Sequence, residues 1–102
     1  MIWKMVSTEV FDEDFFKLER SEQERIEKKL KKLKEDPYQG KPLGYDWFRE
    51  IKLNGKRVYF LIYKKNQKIG LVAISDKKTQ NETIKEIKSK LKEFEKVFNP
   101  TL

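Results

Sequence analysis

Residues 47–79 of this chain, WFREIKLNGKRVYFLIYKKNQKIGLVAISDKKT, decide its fold. Two apolar runs meet at Asn54-Gly55, a dipeptide that strongly predicts a two-residue β-hairpin turn. A third apolar run, residues 69–75, follows the polar break at residues 65–67. The stretch therefore predicts a three-stranded antiparallel meander with basic residues at intervals along it.

The hairpin turn also predicts which residues face one another across the first two strands. Counting outward from a type I′ turn gives the pairs Leu53–Lys56, Lys52–Arg57, Ile51–Val58, Glu50–Tyr59 and Phe48–Leu61. Because side chains alternate along a strand, one face is largely apolar and should meet the core. We place on it Trp47, Ile51, Leu53, Val58, Phe60 and Ile62. The opposite face gathers Glu50, Lys52, Arg57 and Tyr59, which could form a functional site or a solvated face with cross-strand ion pairs.

The composition excludes several classes of active site. With 102 residues the chain is long enough for one domain, residues 1–102, with one modest core. It contains neither cysteine nor histidine, which excludes disulfides, thiol nucleophiles, Ser-His-Asp mechanisms and the usual zinc sites. Proton transfer would have to use lysine, arginine, tyrosine or carboxylates. No long apolar run or signal-peptide pattern is present, so we expect a soluble, cytoplasmic protein with no membrane partner.

The charge balance suggests a polyanionic partner. Lysine and arginine number 24 against 17 aspartates and glutamates, for a formal net charge of +7. A small basic domain often binds nucleic acid, although a charged fraction of 40% is also typical of a highly soluble or heat-adapted surface.

The segments around the meander read as one further strand and three helices. Residues 2–6 form a candidate strand, and residues 9–18 a helix with Phe11, Phe15 and Leu18 on its core side. Capping boxes at Ser21–Glu24 and Thr83–Glu86 predict the starts of a second helix and of a long C-terminal helix, residues 83–98. Residues 37–45 are predicted to be a loop. The second helix also has a lysine-rich face that could be solvated or could lie on a phosphate backbone.

This order, β-α-α-β-β-β-α, predicts an α+β domain in which helices pack on an antiparallel sheet. The stripe Ile84, Ile87, Leu91, Phe94 and Phe98 of the C-terminal helix is expected to pack on that sheet, with a partner helix or dimer seam as the alternative.

Three short motifs in this order resemble a known family. They are LGYDWFREIK (residues 43–52), RVYF (residues 57–60) and KKTQ (residues 77–80). Together with the element order they resemble the RelE/ParE toxin superfamily, and among its members the HigB-like, phage-derived branch. The resemblance implies a RelE-like fold and a toxin of a type II toxin–antitoxin pair, most often a ribosome-dependent mRNA endonuclease (mRNA interferase) that inhibits translation. It also implies an acidic antitoxin, the ribosome and mRNA as partners.

Matched position by position, the resemblance assigns the catalytic residues Glu50, Lys52, Arg57 and Lys78. We also predict RNA contacts by Arg49, Lys56, Tyr59, Lys77 and Lys78. Cleavage by attack of a 2′-hydroxyl needs a base, cations around the phosphorane and a proton donor for the leaving 5′-oxygen. We assign Arg57 and Lys78 to the phosphate, Lys52 or Glu50 to the base, and Tyr59 to base stacking or proton donation. This chemistry requires no metal and no cofactor.

The chain departs from the family pattern in three places. No tyrosine follows the basic turn, Lys52 stands where arginine is usual, and Ala73 stands where HigB-like members often carry histidine. These departures favour a second hypothesis, a non-catalytic relative such as a ParE-like gyrase inhibitor or a degenerate toxin that binds antitoxin and nucleic acid. A third is an interaction domain whose C-terminal helix pairs with a partner.

Overall fold

The computed structural model describes residues 2–99, and its strands and helices follow the predicted order with one further strand and a divided C-terminal helix. The elements are β1 (Lys4–Ser7), α1 (Glu9–Phe16), α2 (Arg20–Glu35), β2 (Lys41–Tyr45), β3 (Phe48–Leu53), β4 (Lys56–Tyr63), β5 (Lys68–Asp76), α3 (Gln80–Ser89) and α4 (Leu91–Phe98). Single 3-10 turns at Pro37–Gln39 and Lys64–Asn66 precede β2 and β5. The predicted α+β class is confirmed.

The five strands form one sheet in the order β1-β5-β4-β3-β2. Each of the pairs β2–β3, β3–β4 and β4–β5 is antiparallel, as a meander requires. Strand β1 lies parallel to β5 at the edge of the sheet, with Met5 opposite Ile69. The two helices α1 and α2 separate β1 from the meander in sequence, so hairpin rules could not predict this placement.

The predicted hairpin register is confirmed at every pair from Phe48–Leu61 to Leu53–Lys56. Asn54 and Gly55 have φ angles of 42° and 91°, the left-handed values that both central residues of a type I′ turn need. Asparagine tolerates this region and glycine enters it without strain, which explains why this dipeptide predicted the turn correctly.

Helices cover both faces of the sheet. Helices α1 and α2 pack on one face through Phe11, Phe15, Ile26 and Leu33, which contact the inward side chains of β3, β4 and β5. Helices α3 and α4 pack on the other face, where the predicted stripe of residues 84–98 meets β3, β4 and β5. Core packing of that stripe is therefore confirmed. No helix among residues 2–99 is both long enough and apolar enough to cross a bilayer.

One predicted core residue lies elsewhere. Trp47 precedes β3 instead of extending it, its side chain is 39% exposed, and its ring stacks on Tyr45 at 4.5 Å between centroids. Strand β3 begins at Phe48, so the alternation that assigned Trp47 to the core does not reach it.

The loop predicted for residues 37–45 is wrong, because its second half is strand β2. This strand pairs with the first half of β3 and is interrupted by an irregularity between Pro42 and Tyr45, where Gly44 has a φ of 89°. A proline is tolerated there because β2 is an edge strand and needs no N–H on its outer side. The proline and the glycine therefore belong to an edge strand with a bulge, where the sequence predicts a loop.

Both predicted capping boxes are also wrong. Helix α2 begins at Arg20 without a side-chain cap, one residue before Ser21. Helix α3 begins at Gln80, and Thr83 lies inside it with its Oγ1 donating to the Thr79 carbonyl at 2.9 Å. The start of α3 is set instead by contacts of the preceding turn, described below.

The predicted single C-terminal helix is divided at Lys90. The Ser89 hydroxyl donates to the Glu86 carbonyl at 2.7 Å, and the Lys90 N–H turns to the Ile87 carbonyl at 3.0 Å. A serine hydroxyl that competes for a carbonyl in this way is known to disturb helices. The break redirects the chain, so that α3 and α4 both pack on the same face of the sheet.

Candidate functional site

The four side chains that the hairpin register predicted to converge do lie on neighbouring positions of one face of the sheet. Glu50 is opposite Tyr59, and Lys52 is opposite Arg57. Strand β5 adds Ser75 beside Arg57. The Tyr59 hydroxyl and Ser75 Oγ are 2.8 Å apart, and Ser75 Oγ donates to the Asp76 carbonyl at 3.0 Å, which leaves Tyr59 as the donor to Ser75.

Glu50 is a buried carboxylate held by a neutral amide. Its side chain is 1% exposed, and both carboxylate oxygens accept from Gln80 Nε2, at 3.0 and 3.1 Å. Gln80 is the first residue of α3, so this contact ties the start of α3 to the centre of the sheet. A carboxylate buried in this way does not face solvent or a bound substrate.

Arg57 is buried without a carboxylate partner. Its side chain is 8% exposed, its Nε has no hydrogen-bond partner, and no acidic side chain among residues 2–99 lies within 4.0 Å of its guanidinium. Burying a cation is costly unless a hydrogen-bonded anion accompanies it. A guanidinium in this state is well suited to bind an oxyanion, and a phosphate can accept two of its N–H groups at once.

The basic turn between β5 and α3 presents two lysines next to this cluster. Asp76 Oδ1 accepts from the backbone N–H of Thr79 at 3.0 Å and from its hydroxyl at 3.1 Å. These hydrogen bonds, the backbone one first, lower the pKa of Asp76 below its ordinary value. Because Asp76 and Gln80 hold the two ends of the turn, the exposed Lys77 and Lys78 project from a rigid support.

Solved structures show which fold this arrangement belongs to. A mutant of the E. coli toxin RelE in the free state superposes with a TM-score of 0.71 at 20% identity, covering 85% of this chain and 99% of that chain. A chain of the Mycobacterium tuberculosis toxin–antitoxin complex RelBE2 gives 0.67 at 15% identity, covering 76% and 100%. A chain of the archaeal RelE–RelB complex from Pyrococcus horikoshii gives 0.65 at 14% identity, covering 74% and 96%. The chain has the RelE fold.

Sequence comparison adds no closer relation. No protein-family profile matches the chain, and no curated protein matches it. The similarity to RelE is therefore a similarity of fold. A fold can be retained at low sequence identity, because many sequences with the same apolar pattern fill the same core.

Within the RelE fold, Tyr59 is unable to stack on an RNA base as the sequence predicted. Its side chain is fully buried, and its hydroxyl is already bonded to Ser75. Burial raises the pKa of Tyr59, and the nearby carboxylates of Glu50 and Asp76 raise it further against the opposing effects of Ser75 and Arg57. Tyr59 is thus a neutral, structural phenol beneath the site.

Arg49 lies on the opposite face of the sheet from this cluster, which corrects its predicted place on an RNA surface. The side chain is 8% exposed, and its guanidinium donates to the carbonyls of Tyr38, Gly40 and Asp46 and to the Asp46 carboxylate, at 2.6 to 3.0 Å. It fastens the chain before β2 to β3. Arginine–carbonyl contacts of this kind link residues up to 11 positions apart and leave no pattern in the sequence.

The remaining predicted residues lie at the surface. Lys52, Lys77 and Lys78 are exposed, and Lys56 is half-buried opposite Asp76. Gln80 and Ser75 were not predicted as site residues, although Gln80 is the last residue of the KKTQ motif. Residues 2–99 contain no group of three or more carboxylates placed to hold a metal ion.

Proposed function

We propose that this protein is the toxin of a type II toxin–antitoxin pair and cleaves mRNA on the ribosome. The observation that carries the proposal is Arg57, a buried guanidinium with no carboxylate partner, placed between Lys52 and the basic turn of a RelE-fold chain. The ordered LGYDWFREIK, RVYF and KKTQ motifs support a HigB-like member of the RelE/ParE superfamily.

Four cations, one of them buried, have separate roles in the cleavage. The neutral amine of Lys52 accepts the proton of the 2′-hydroxyl, whose oxygen bonds to the adjacent phosphorus as the bond from phosphorus to the 5′-oxygen breaks. Arg57 and Lys78 bind the non-bridging oxygens and stabilise the charge of the phosphorane. The Lys77 ammonium protonates the leaving 5′-oxygen. The products are a 2′,3′-cyclic phosphate and a 5′-hydroxyl.

Glu50 has a supporting role in this scheme. Both of its oxygens are occupied by Gln80, and its side chain is almost fully buried, so Lys52 replaces it as the base. A sheet face with so few groups for acid–base chemistry needs the ribosome to hold the strand in position for cleavage. The reaction should therefore depend on the ribosome.

Partners follow from the same fold and charge. E. coli RelE, M. tuberculosis RelBE2 and P. horikoshii RelE were each solved in toxin–antitoxin complexes. We infer that this chain likewise binds a cognate antitoxin, and that acidic side chains of the antitoxin neutralise Lys52, Arg57 and Lys78.

The test is mRNA cleavage in a cell-free translation reaction, with 5′ ends mapped by primer extension and free mRNA incubated in parallel. We expect new ends only in the presence of ribosomes. Arg57→Ala and Lys52→Ala should each reduce the rate by about 100-fold or more, the usual cost of losing one group that stabilises a transition state. Arg20→Ala is the matched control, because Arg20 is a highly exposed arginine at the start of α2.

Wild-type cleavage by the Arg57→Ala and Lys52→Ala proteins would refute the assignment of these residues. Intact mRNA with the wild-type protein would refute the proposed cleavage itself. It would instead favour the non-catalytic alternative. The burial of Tyr59 and the hydrogen bonds of Glu50 to Gln80 support that alternative, because they leave only lysines for proton transfer. A DNA supercoiling assay would then test gyrase inhibition.

A further inference from the structure

A groove lined by cations lies beside the proposed cleavage site, between α2 and the free edge of the sheet. It has a volume of about 360 Å³. Its lining consists of Arg25, Lys28, Lys29 and Lys32 of α2 and Lys52, Leu53 and Asn54 at the end of β3. The cleavage chemistry uses only Lys52 of this set, so the function of the other four cations is unexplained.

The groove exists because strand β2 covers only part of β3 and helix α2 lies beside the edge that is left open. Strand β2 pairs with β3 only at Phe48, Arg49 and Glu50, which leaves the second half of β3 as an open edge. Helix α2 runs alongside this edge. Its residues at positions i, i+3, i+4 and i+7, counted from Arg25, lie on the side of the helix that faces the edge. These positions extend over about 10 Å of helix at 1.5 Å per residue.

The cations of the groove are not neutralised by the protein. None of the five lies within 4.0 Å of a carboxylate among residues 2–99, where the described ion pairs involve Arg20, Arg49 and Lys90. Helix α2 has four glutamates, and none of them lines the groove. Like charges gathered in this way repel one another, so the arrangement is stabilised when an anion binds.

We propose that this groove binds the phosphate backbone of RNA. A row of cations about 10 Å long suits successive phosphates of a chain better than a single small anion, which two or three donors would satisfy. Lys52 belongs both to the groove and to the cross-strand pair with Arg57, so the two surfaces are continuous. Because Lys52 lines the groove and is also the proposed base, we assign the groove to the RNA strand that is cleaved, whose phosphates would continue from the groove into the cleavage site.

This inference extends the proposed function, because it assigns the surface that holds the RNA, but binding alone tests it. The variant Lys28→Gln/Lys32→Gln removes two groove cations. The control variant Lys31→Gln/Lys34→Gln removes two exposed lysines of the same helix that do not line the groove, with the same change in net charge. Thermal unfolding of both variants checks that α2 remains intact.

Binding is measured against salt concentration in two arms, fluorescence anisotropy with a labelled single-stranded RNA and co-sedimentation with ribosomes. Each lost phosphate contact lowers the slope of log K against log salt by about 0.7 to 0.9. We therefore expect the slope of log K against log salt to be smaller than that of the wild type by about 1.4 to 1.8 in the groove variant, and by less than about 0.5 in the control. Loss in the free-RNA arm supports the cleaved strand as the ligand, whereas loss with ribosomes alone would overturn this assignment in favour of ribosomal RNA.

Equal losses in the groove and control variants would overturn the proposal, because the effect would then be one of net charge. Unchanged slopes in both would overturn it as well. The outcome is separate from that of the cleavage assay, because a protein that binds RNA through the groove but does not cleave it would refute only the proposed catalysis.

Discussion

Glu50 and Gln80 form a partly buried hydrogen-bonded contact beneath the candidate site. The Glu50 carboxylate is 1% exposed, and its two oxygens share one amide donor from a residue 30 positions away. Burial of a polar group is costly unless hydrogen bonds replace the water it has lost. The contact therefore makes Glu50 an anchor for the basic turn.

Replacement of Gln80 by leucine should destabilise the protein because it leaves the Glu50 carboxylate without its donor. We expect the free energy of unfolding, measured in urea, to fall by about 1 to 3 kcal/mol. Adding Glu50→Gln should restore part of this loss, since a neutral amide costs less to bury. Gln39→Leu, at an exposed glutamine, is the control and should change stability by less than about 0.5 kcal/mol. Equal losses at Gln80 and Gln39 would contradict the anchor.

Asp76 makes stability depend on pH in a defined direction. Its folded-state pKa lies below the ordinary value of 3.8, so its hydrogen bonds to Thr79 stabilise the fold above that pH and are lost as pH falls through the folded-state pKa. Asp76→Ala should therefore melt at a lower temperature than the wild type near neutral pH, and the difference should shrink as the pH falls below 3.8 and through the lowered folded-state pKa. Circular dichroism melts across this range measure it. A constant difference would show that the carboxylate charge is not involved.

At the scale of elements, α4 depends on one close contact with the sheet. Phe98 is 1% exposed and packs over Gly70 of β5, where an added Cβ would lie 2.7 Å from the ring. Lys68 Nζ also donates to the Phe98 carbonyl at 2.5 Å. Packing against Phe98, and not backbone conformation, therefore requires glycine at position 70, because the φ of Gly70 is not positive.

The variant Gly70→Ala should loosen α4, with an overpacking cost of about 1 to 3 kcal/mol. Limited trypsin digestion should then cleave at the α4 lysines sooner than in the wild type. Gly55→Ala is the control: its Cβ would meet nothing within 4 Å, but its φ of 91° is strained for alanine. We expect it to lower global stability by about 1 kcal/mol without selective cleavage in α4. The same early cleavage in both variants would argue against the Gly70–Phe98 contact.

Across the whole molecule, the two faces of the sheet have different surroundings. Helices α1 and α2 close one face with an apolar core. Helices α3 and α4 close the other only in part, because the end of that face that holds Glu50, Arg57, Tyr59 and Ser75 has polar side chains beneath the basic turn. The exposed cations Lys52, Lys77 and Lys78 surround this end, and the groove of α2 continues from it. Lys52 thus belongs to both cationic surfaces.

The local features of the fold follow from the sequence alone. Asn54-Gly55 specified the turn, the turn specified the register from Phe48 to Leu61, and alternation placed Glu50, Lys52, Arg57 and Tyr59 on one face. Helical periodicity likewise identified the core residues of the first helix and of the C-terminal stripe. These predictions succeeded because each depends on neighbours within a few residues or across one tight turn.

What each site residue can do depends on the tertiary structure. It buried Tyr59 and Glu50, sent Arg49 to the opposite face, joined Gln80 to Glu50, and left Arg57 without a carboxylate. Exposure and hydrogen-bond partners depend on elements that are distant in sequence, and a short motif contains no record of them. The placement of β1 and the open edge of β3 that forms the groove have the same origin, because both result from which strand finds a partner in the folded sheet.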